Sequence, residues 1–367
     1  MKINSDEKIF HLKGLNGLRA IAAIVVVFSH TGQALGEFGL AAKKDGIFLA
    51  SFGVSIFFSL SGFLITTLLL IEKKEFAGIN IRQFYIRRIL RIWPLYYFYL
   101  LLSFGALYFF FPGKLPGSSI FYILLCANIP FITNTTLPLI YHYWSIGVEE
   151  QFYIFWPWVV KNVSKLFTFL VWFVAILMTL KLFLWIFFKK TGIMWPLEIV
   201  HVTRFHCMAI GAMGGILYLN GNKLIRAFSY SLYTQIICWL FIVLAAFNLF
   251  RVGSVIDDEV TACITVILIF NVSANAKSII KLNFPLLNYL GKISYGIYVY
   301  HPLLIFFIGK LFASVLLSLN VATRYVAVYI LITGITILVA GLSYWLLERR
   351  FLKLKFLYSR VLSSGSR

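Results

Sequence analysis

The sequence predicts an all-α protein: a polytopic transmembrane helical bundle of about ten spanning helices with one short re-entrant or interfacial segment. Three observations predict it. Of the 367 residues 61% are hydrophobic, and the mean hydropathy is +0.89, beyond what soluble domains keep. Apolar blocks long enough to cross a bilayer recur from end to end. Lys and Arg collect in the short segments between those blocks, as the positive-inside rule expects.

Taken in order, the expected spans are 15–35, 47–71, 92–111, 144–160, 166–188, 204–220, 228–250, 260–276, 293–312 and 323–347. The apolar piece 120–131 is short and is interrupted by Asn128 and Pro130. It reads as re-entrant or interfacial, because it cannot cross comfortably. Charge tests that reading. With ten crossings and both termini inside, 23 of the 33 basic residues fall on inner segments. A full crossing at 120–131 would flip every later loop and turn the basic end of the chain outward. Residues 1–14 are then a cytoplasmic tail, 15–347 the membrane domain, and 348–367 a basic cytoplasmic tail.

The formal charge of +20 is not a nucleic-acid signature. It is spread over short loops facing an anionic leaflet. Cys126, Cys207, Cys238 and Cys263 lie in or beside apolar blocks with no CxxC or metal spacing, and read as small core residues. No metal site is expected. Lys2, Lys8 and Lys13 ahead of the run from Ala20 to Phe28 imitate a cleaved leader. The expectation is that the run is retained as the first span.

That first span carries Arg19 and His30. Eleven residues make about 1100° of helix, so the two share one face, about 16–17 Å apart along the axis. An arginine meeting lipid there costs about 2.5–3.5 kcal/mol, so the stripe should face protein or a wet cavity. A snorkelling arginine and a satisfied core histidine are the alternative. Arg88 and Arg91, in Arg88-Ile89-Leu90-Arg91 after the second span, point the same way on a helix. Guanidinium pairs suit phosphate, although a juxtamembrane basic cluster reads the same way. Entering the fourth span, Ser145, Glu149 and Tyr153 make one polar stripe beside Trp144, with Glu150 off it. A carboxylate there can orient a histidine or accept a hydroxyl proton, or merely cap and anchor the helix. Later, Tyr298 and His301 share a face just before Pro302. A structural histidine is as good a reading there as a functional one. Ser61-Gly62, within Phe52 to Ile65, reads as a close helix approach rather than chemistry.

Together these motifs resemble the integral-membrane acyltransferase-3 family, bacterial enzymes that O-acylate cell-surface and secreted carbohydrates. The resemblance runs from about residue 14 to 352. Arg19 and His30 match the family's R-x₁₀-H, and Arg88 and Arg91 match its R-x-x-R. Trp144 to Tyr153, Gly53 to Phe63 and Ile293 to His301 match three further blocks. Each block alone is weak, and their order and spacing make the match specific. One departure is His206, where many relatives carry an acidic residue.

The resemblance implies an O-acyltransferase, most often an O-acetyltransferase, of the bacterial inner membrane with both termini cytoplasmic. It would take acetyl-CoA or another acyl-CoA as co-substrate, with no permanently bound cofactor. The acceptor would be a hydroxyl of a cell-surface or exported glycan such as O-antigen or exopolysaccharide. On this reading Arg19, Arg88 and Arg91 hold the donor, and His30 is the general base or a transient acyl carrier. Glu149, with Ser145 and Tyr153, orients His30 or the acceptor; Trp144 offers an aromatic face to a sugar; Tyr298 and His301 support the site. Some relatives carry an extracytoplasmic esterase-like domain, so a second transfer step here would need another protein. The alternative is a transporter or flippase of a lipid-linked sugar. No internal repeat of the kind that marks such folds is visible.

Overall fold

In the computed structural model, residues 12–41, 46–113, 117–247, 249, 252–253 and 255–361 are described. The first eleven residues and the last six, with Ser363 among them, lie outside the described residues, so the two expected tails are seen only in part.

The chain runs through α1 (Leu15–Gln33), α2 (Gly46–Glu75), α3 (Ile81–Phe110), two single turns α4 (Ser119–Ile123) and α5 (Asn128–Ile132), then α6 (Trp144–Asn162), α7 (Leu166–Thr191), α8 (Trp195–Thr203) and α9 (Phe205–Leu219). It continues with α10 (Lys223–Tyr230), α11 (Leu232–Ala246), α12 (Asp257–Ala274), α13 (Pro285–Lys292), α14 (Ser294–Leu317), α15 (Val321–Ser343), a π turn Tyr344–Glu348, and α16 (Arg349–Phe356). No strand occurs among the described residues.

Each expected span coincides with a helix, and the expected count of about ten is approximate. Among the described residues seven helices are long and apolar enough to cross a membrane, or eight if α10 and α11, bent by 64°, act as one. The two that fall short are α6, which carries Glu149, Glu150 and Lys161, and α12, which opens on Asp257-Asp258-Glu259. Both spend part of their length on polar chemistry. The piece 120–131 became α4 and α5, each one turn long, and neither can cross about 30 Å of hydrocarbon. Helix continues past 347: α15, the π turn and α16 form one helical run, Val321–Phe356.

The elements start where local chemistry allows. Asn80 caps α3 by accepting the Gln83 N–H at 3.0 Å, and Asn320 caps α15 by accepting that of Thr323 at 2.9 Å. The centre of the bundle is the α1–α2–α9 stack. A methyl group on Gly62 would stand 1.9 Å from the Met208 carbonyl oxygen, and one on Gly211 2.1 Å from that of Ser59. α2 and α9 therefore meet backbone to backbone, as small residues permit. α7 lies outermost; Leu166, Leu170 and Lys181 are its buried residues. Among the cysteines, Cys207 and Cys238 are buried, Cys126 is half-buried and Cys263 is exposed, so only two fit the core reading.

Candidate functional site: an arginine-lined cavity beside a histidine group

α1, α2, α3, α6 and α14 enclose a cavity of about 800 Å³. Its polar lining is Arg19 from α1, Ser61 from α2, Arg88 and Arg91 from α3, Ser145, Glu149 and Tyr153 from α6, and Ser294, Tyr295 and Tyr298 from α14. Arg88 and Arg91, three residues apart on α3, share the helix face that borders this space. Arg87, one position off that face, turns away. It pairs with Glu72 at 3.0 Å and donates to the Tyr358 carbonyl at 2.8 Å.

Glu149 accepts the Ser61 hydroxyl at 2.5 Å and also the Tyr153 hydroxyl. The Arg88 guanidinium lies 5.1 Å from the centre of the Tyr153 ring and 5.6 Å from that of Phe84. Yet Arg19, Arg88 and Arg91 make no hydrogen bond or ion pair with the described residues, and Arg88 Nε is buried without a partner. A buried guanidinium is costly without an acceptor. Three converging on one cavity form a site prepared for an anion.

The second part of the site is a group of imidazoles. His30 Nδ1 lies 2.6 Å from His301 Nε2, and His301 Nδ1 lies 2.7 Å from the Tyr298 carbonyl oxygen. His142 Nε2 stands 3.1 Å from the Val299 carbonyl oxygen. A carbonyl can only accept, so with neutral rings His301 Nδ1–H donates to Tyr298. His301 Nε2 then holds a lone pair and takes the Nδ1–H of His30. This leaves His30 Nε2 unprotonated, the nitrogen of a general base. Tyr298 joins the two parts. Its ring borders the cavity, its hydroxyl meets Ser145 at 2.5 Å and donates to the His142 carbonyl at 2.9 Å, and its own carbonyl anchors His301.

Glu149 accepts from Ser61 and Tyr153, and the ring that meets His30 is that of His301. Trp144 is not an open sugar platform: its ring packs 5.1 Å from that of Phe131 and 6.2 Å from that of Phe58, with the Arg204 guanidinium at 5.4 Å. His30 is not among the residues lining the arginine cavity; Tyr298 and Ser145 stand at that end. Ser61, set aside as packing, lines the cavity, whereas its neighbour Gly62 does pack. His142, two residues before the Trp144 block, was not singled out, and its residue type alone was the available signal.

A second buried ionic group joins α2, α7, α9 and α12. Arg204, in a left-handed conformation at φ 44°, donates to the Ser51 hydroxyl at 2.7 Å and sits 3.2 Å from Asp258 Oδ1. Lys181 donates to Glu259 at 2.8 Å, and His206 Nε2 lies 2.9 Å from the same oxygen. His206 thus faces a carboxylate contributed by another helix. No cluster of three or more His, Cys, Asp or Glu suited to a metal occurs among the described residues.

Comparison with known proteins agrees with the motifs. The chain is 31% identical over 158 residues to the peptidoglycan O-acetyltransferase OatA of Listeria monocytogenes, covering 40% of this chain and 24% of that protein. It is 31% identical over 160 residues to the O-acetyltransferase OatA of Staphylococcus aureus, covering 41% and 25%. A Staphylococcus aureus (strain COL) protein provisionally named an O-acetyltransferase is 26% identical over 382 aligned positions, covering 95% of this chain and 58% of the relative. The chain therefore spans between a quarter and three fifths of the length of these relatives. No solved structure matches it. The family described as "Acyltransferase domain" matches residues 12–345, the stretch that holds the arginine cavity and the histidine group, and the chain belongs to this acyltransferase-3 family.

Proposed function

We propose that the protein is a membrane O-acetyltransferase that moves an acyl group from cytoplasmic acyl-CoA to a hydroxyl of a cell-surface or exported glycan. The observation that carries this is the pairing of three partnerless guanidiniums on one cavity with a histidine whose Nε2 is free. The relatives' names, one of them specifying peptidoglycan, support O-acetyl transfer to an envelope glycan.

The donor's phosphates sit against Arg19, Arg88 and Arg91, and its pantetheine arm extends toward Ser145 and Tyr298. The acceptor hydroxyl approaches His30 from the opposite side. His30 Nε2 takes the hydroxyl proton as the oxygen attacks the thioester carbonyl. The C–S bond then breaks, and the departing thiolate takes the proton back from the imidazolium. His301 holds the tautomer that keeps Nε2 open. Both termini lie in the cytoplasm of a bacterial inner membrane. A cysteine at Ser363 should resist an impermeant thiol reagent applied to intact cells, and ready labelling would reverse the orientation.

The deciding test is His30→Gln, which hydrogen-bonds but cannot shuttle a proton near neutral pH. Acetyl incorporation into envelope glycan, at matched protein levels, should fall by about 10²–10⁴-fold, with thermal stability and acyl-CoA affinity retained. If glutamine keeps most of the activity, the base lies elsewhere.

A further inference from the structure

The cavity does not end at Arg19. A second chamber of about 1060 Å³ shares Arg19, Arg91 and Tyr295 with it, and is closed by Asn16, Glu348, Arg349, Lys353 and Lys355. Asn16 is one turn before Arg19 on α1, so this chamber lies about 4.5 Å further from His30. A third space beside it is bordered by Arg88, Arg91 and Lys355. Arg91 is common to all three spaces, and Lys355 stands on the wall between the second and third.

Lys355 belongs to α16, beyond the part of the chain that the family match covers. The helix is held in place by the chain around it. It packs on α3, and just after it the Tyr358 carbonyl accepts a hydrogen bond from Arg87 at 2.8 Å. It follows the π turn at Tyr344–Glu348, a local irregularity that recurs at functional sites. The half-buried Lys355 ammonium lies within electrostatic reach of Arg19, Arg87, Arg88 and Arg91.

The nearby carboxylates do not balance this charge. Glu72 is taken by Arg87, and Glu149, bonded to the Ser61 and Tyr153 hydroxyls, supplies a single negative charge facing Arg19, Arg88 and Arg91. Glu348 is the one carboxylate lining the second chamber, against Arg19, Arg91, Arg349, Lys353 and Lys355. Like charges gathered at a concave surface are costly until an anion neutralises them.

We infer that the second chamber receives the phosphorylated nucleotide end of the donor and that Lys355, on α16, is a phosphate-binding residue of this enzyme. The inference rests on the acyl-CoA reading above. It makes the basic segment after the last full span a wall of the donor site.

The test measures binding by wild type, Lys355→Gln, Lys355→Arg and Arg91→Ala, each purified in nanodiscs of zwitterionic lipid. The probes are coenzyme A and S-acetylpantetheine, which lacks the nucleotide. Lys355→Gln should bind coenzyme A about tenfold more weakly and S-acetylpantetheine as wild type does, while Lys355→Arg keeps most of the coenzyme A affinity. If wild type binds no coenzyme A, the acyl-CoA reading and this inference fall together. If Arg91→Ala loses coenzyme A and Lys355→Gln does not, only the inference falls. Equal losses for both probes would make Lys355 a structural residue, and the inference is overturned. A loss seen only in phosphatidylglycerol discs would give the site to a lipid headgroup, and also overturns it.

Discussion

The protein buries charge in two places and treats it in opposite ways. In the group at α7, α9 and α12, every charge meets its opposite: Lys181 meets Glu259 and Arg204 meets Asp258, with Ser51 and Ser55 taking up further guanidinium hydrogens. In the cavity between α1, α3 and α6, Arg19, Arg88 and Arg91 have no such partner. The first arrangement holds helices together. It attaches the outermost helix, α7, through its one buried cation. The second is stable only because the fold supports it, and on the proposed reading its missing partner is the phosphate end of the donor. Buried charge therefore points to function where it is unpaired, and not merely where it is present.

The largest expected effect tests the paired side. Lys181→Met leaves Glu259 with only His206 beside it and should cost about 3 kcal/mol, read as a drop in thermal unfolding temperature in detergent. Adding Glu259→Met should restore most of that stability, since a well-packed apolar pair often equals a buried ion pair. If the single variant is as stable as wild type, the paired group holds nothing together, and the contrast collapses.

The unpaired side should respond in the reverse direction. Arg91→Met removes a repelling charge, so the unliganded protein should unfold at an equal or higher temperature. Acyl-CoA affinity should fall about tenfold to a hundredfold. A variant that loses stability and keeps affinity would move Arg91 into the structural class.

The smallest effect marks the border between the classes. Glu150 neighbours Glu149 but is bonded to Trp93 Nε1 at 3.2 Å and does not line the cavity. Glu150→Gln keeps an acceptor for that indole. Acetyl transfer should change by less than about twofold, whereas Glu149→Gln, which alters the charge facing the arginines, should lower it clearly. Equal losses for the two variants would extend the site past its present wall.

Much of this could be read from the chain, and the parts that could not share a cause. Helix positions follow hydropathy, a local property, so all ten expected spans became helices. Of Arg19 and His30 only Arg19 lines the cavity, whereas Arg88 with Arg91 is a spacing within one helix, so their shared face was legible. Contacts between distant residues were not. His30 meets His301 across 271 positions, and Glu149 meets Ser61 across 88. The contact of Glu149 with Ser61 was therefore not legible, because a stripe on one helix does not say which helix it will face. The helical state of the residues after 347 was not legible for a different reason. A basic composition does not distinguish a loose tail from the continuation of a helix that borders a chamber.

The hydrogen-bond chain from His30 through His301 stops at the Tyr298 carbonyl, which can accept a proton's attraction but cannot pass the proton on. A proton taken up at His30 Nε2 therefore has no exit through His301 and must leave toward the reactants. On the proposed reading, that dead end returns each proton from the acceptor hydroxyl to the departing thiolate, so acyl transfer would carry no net proton away from the site.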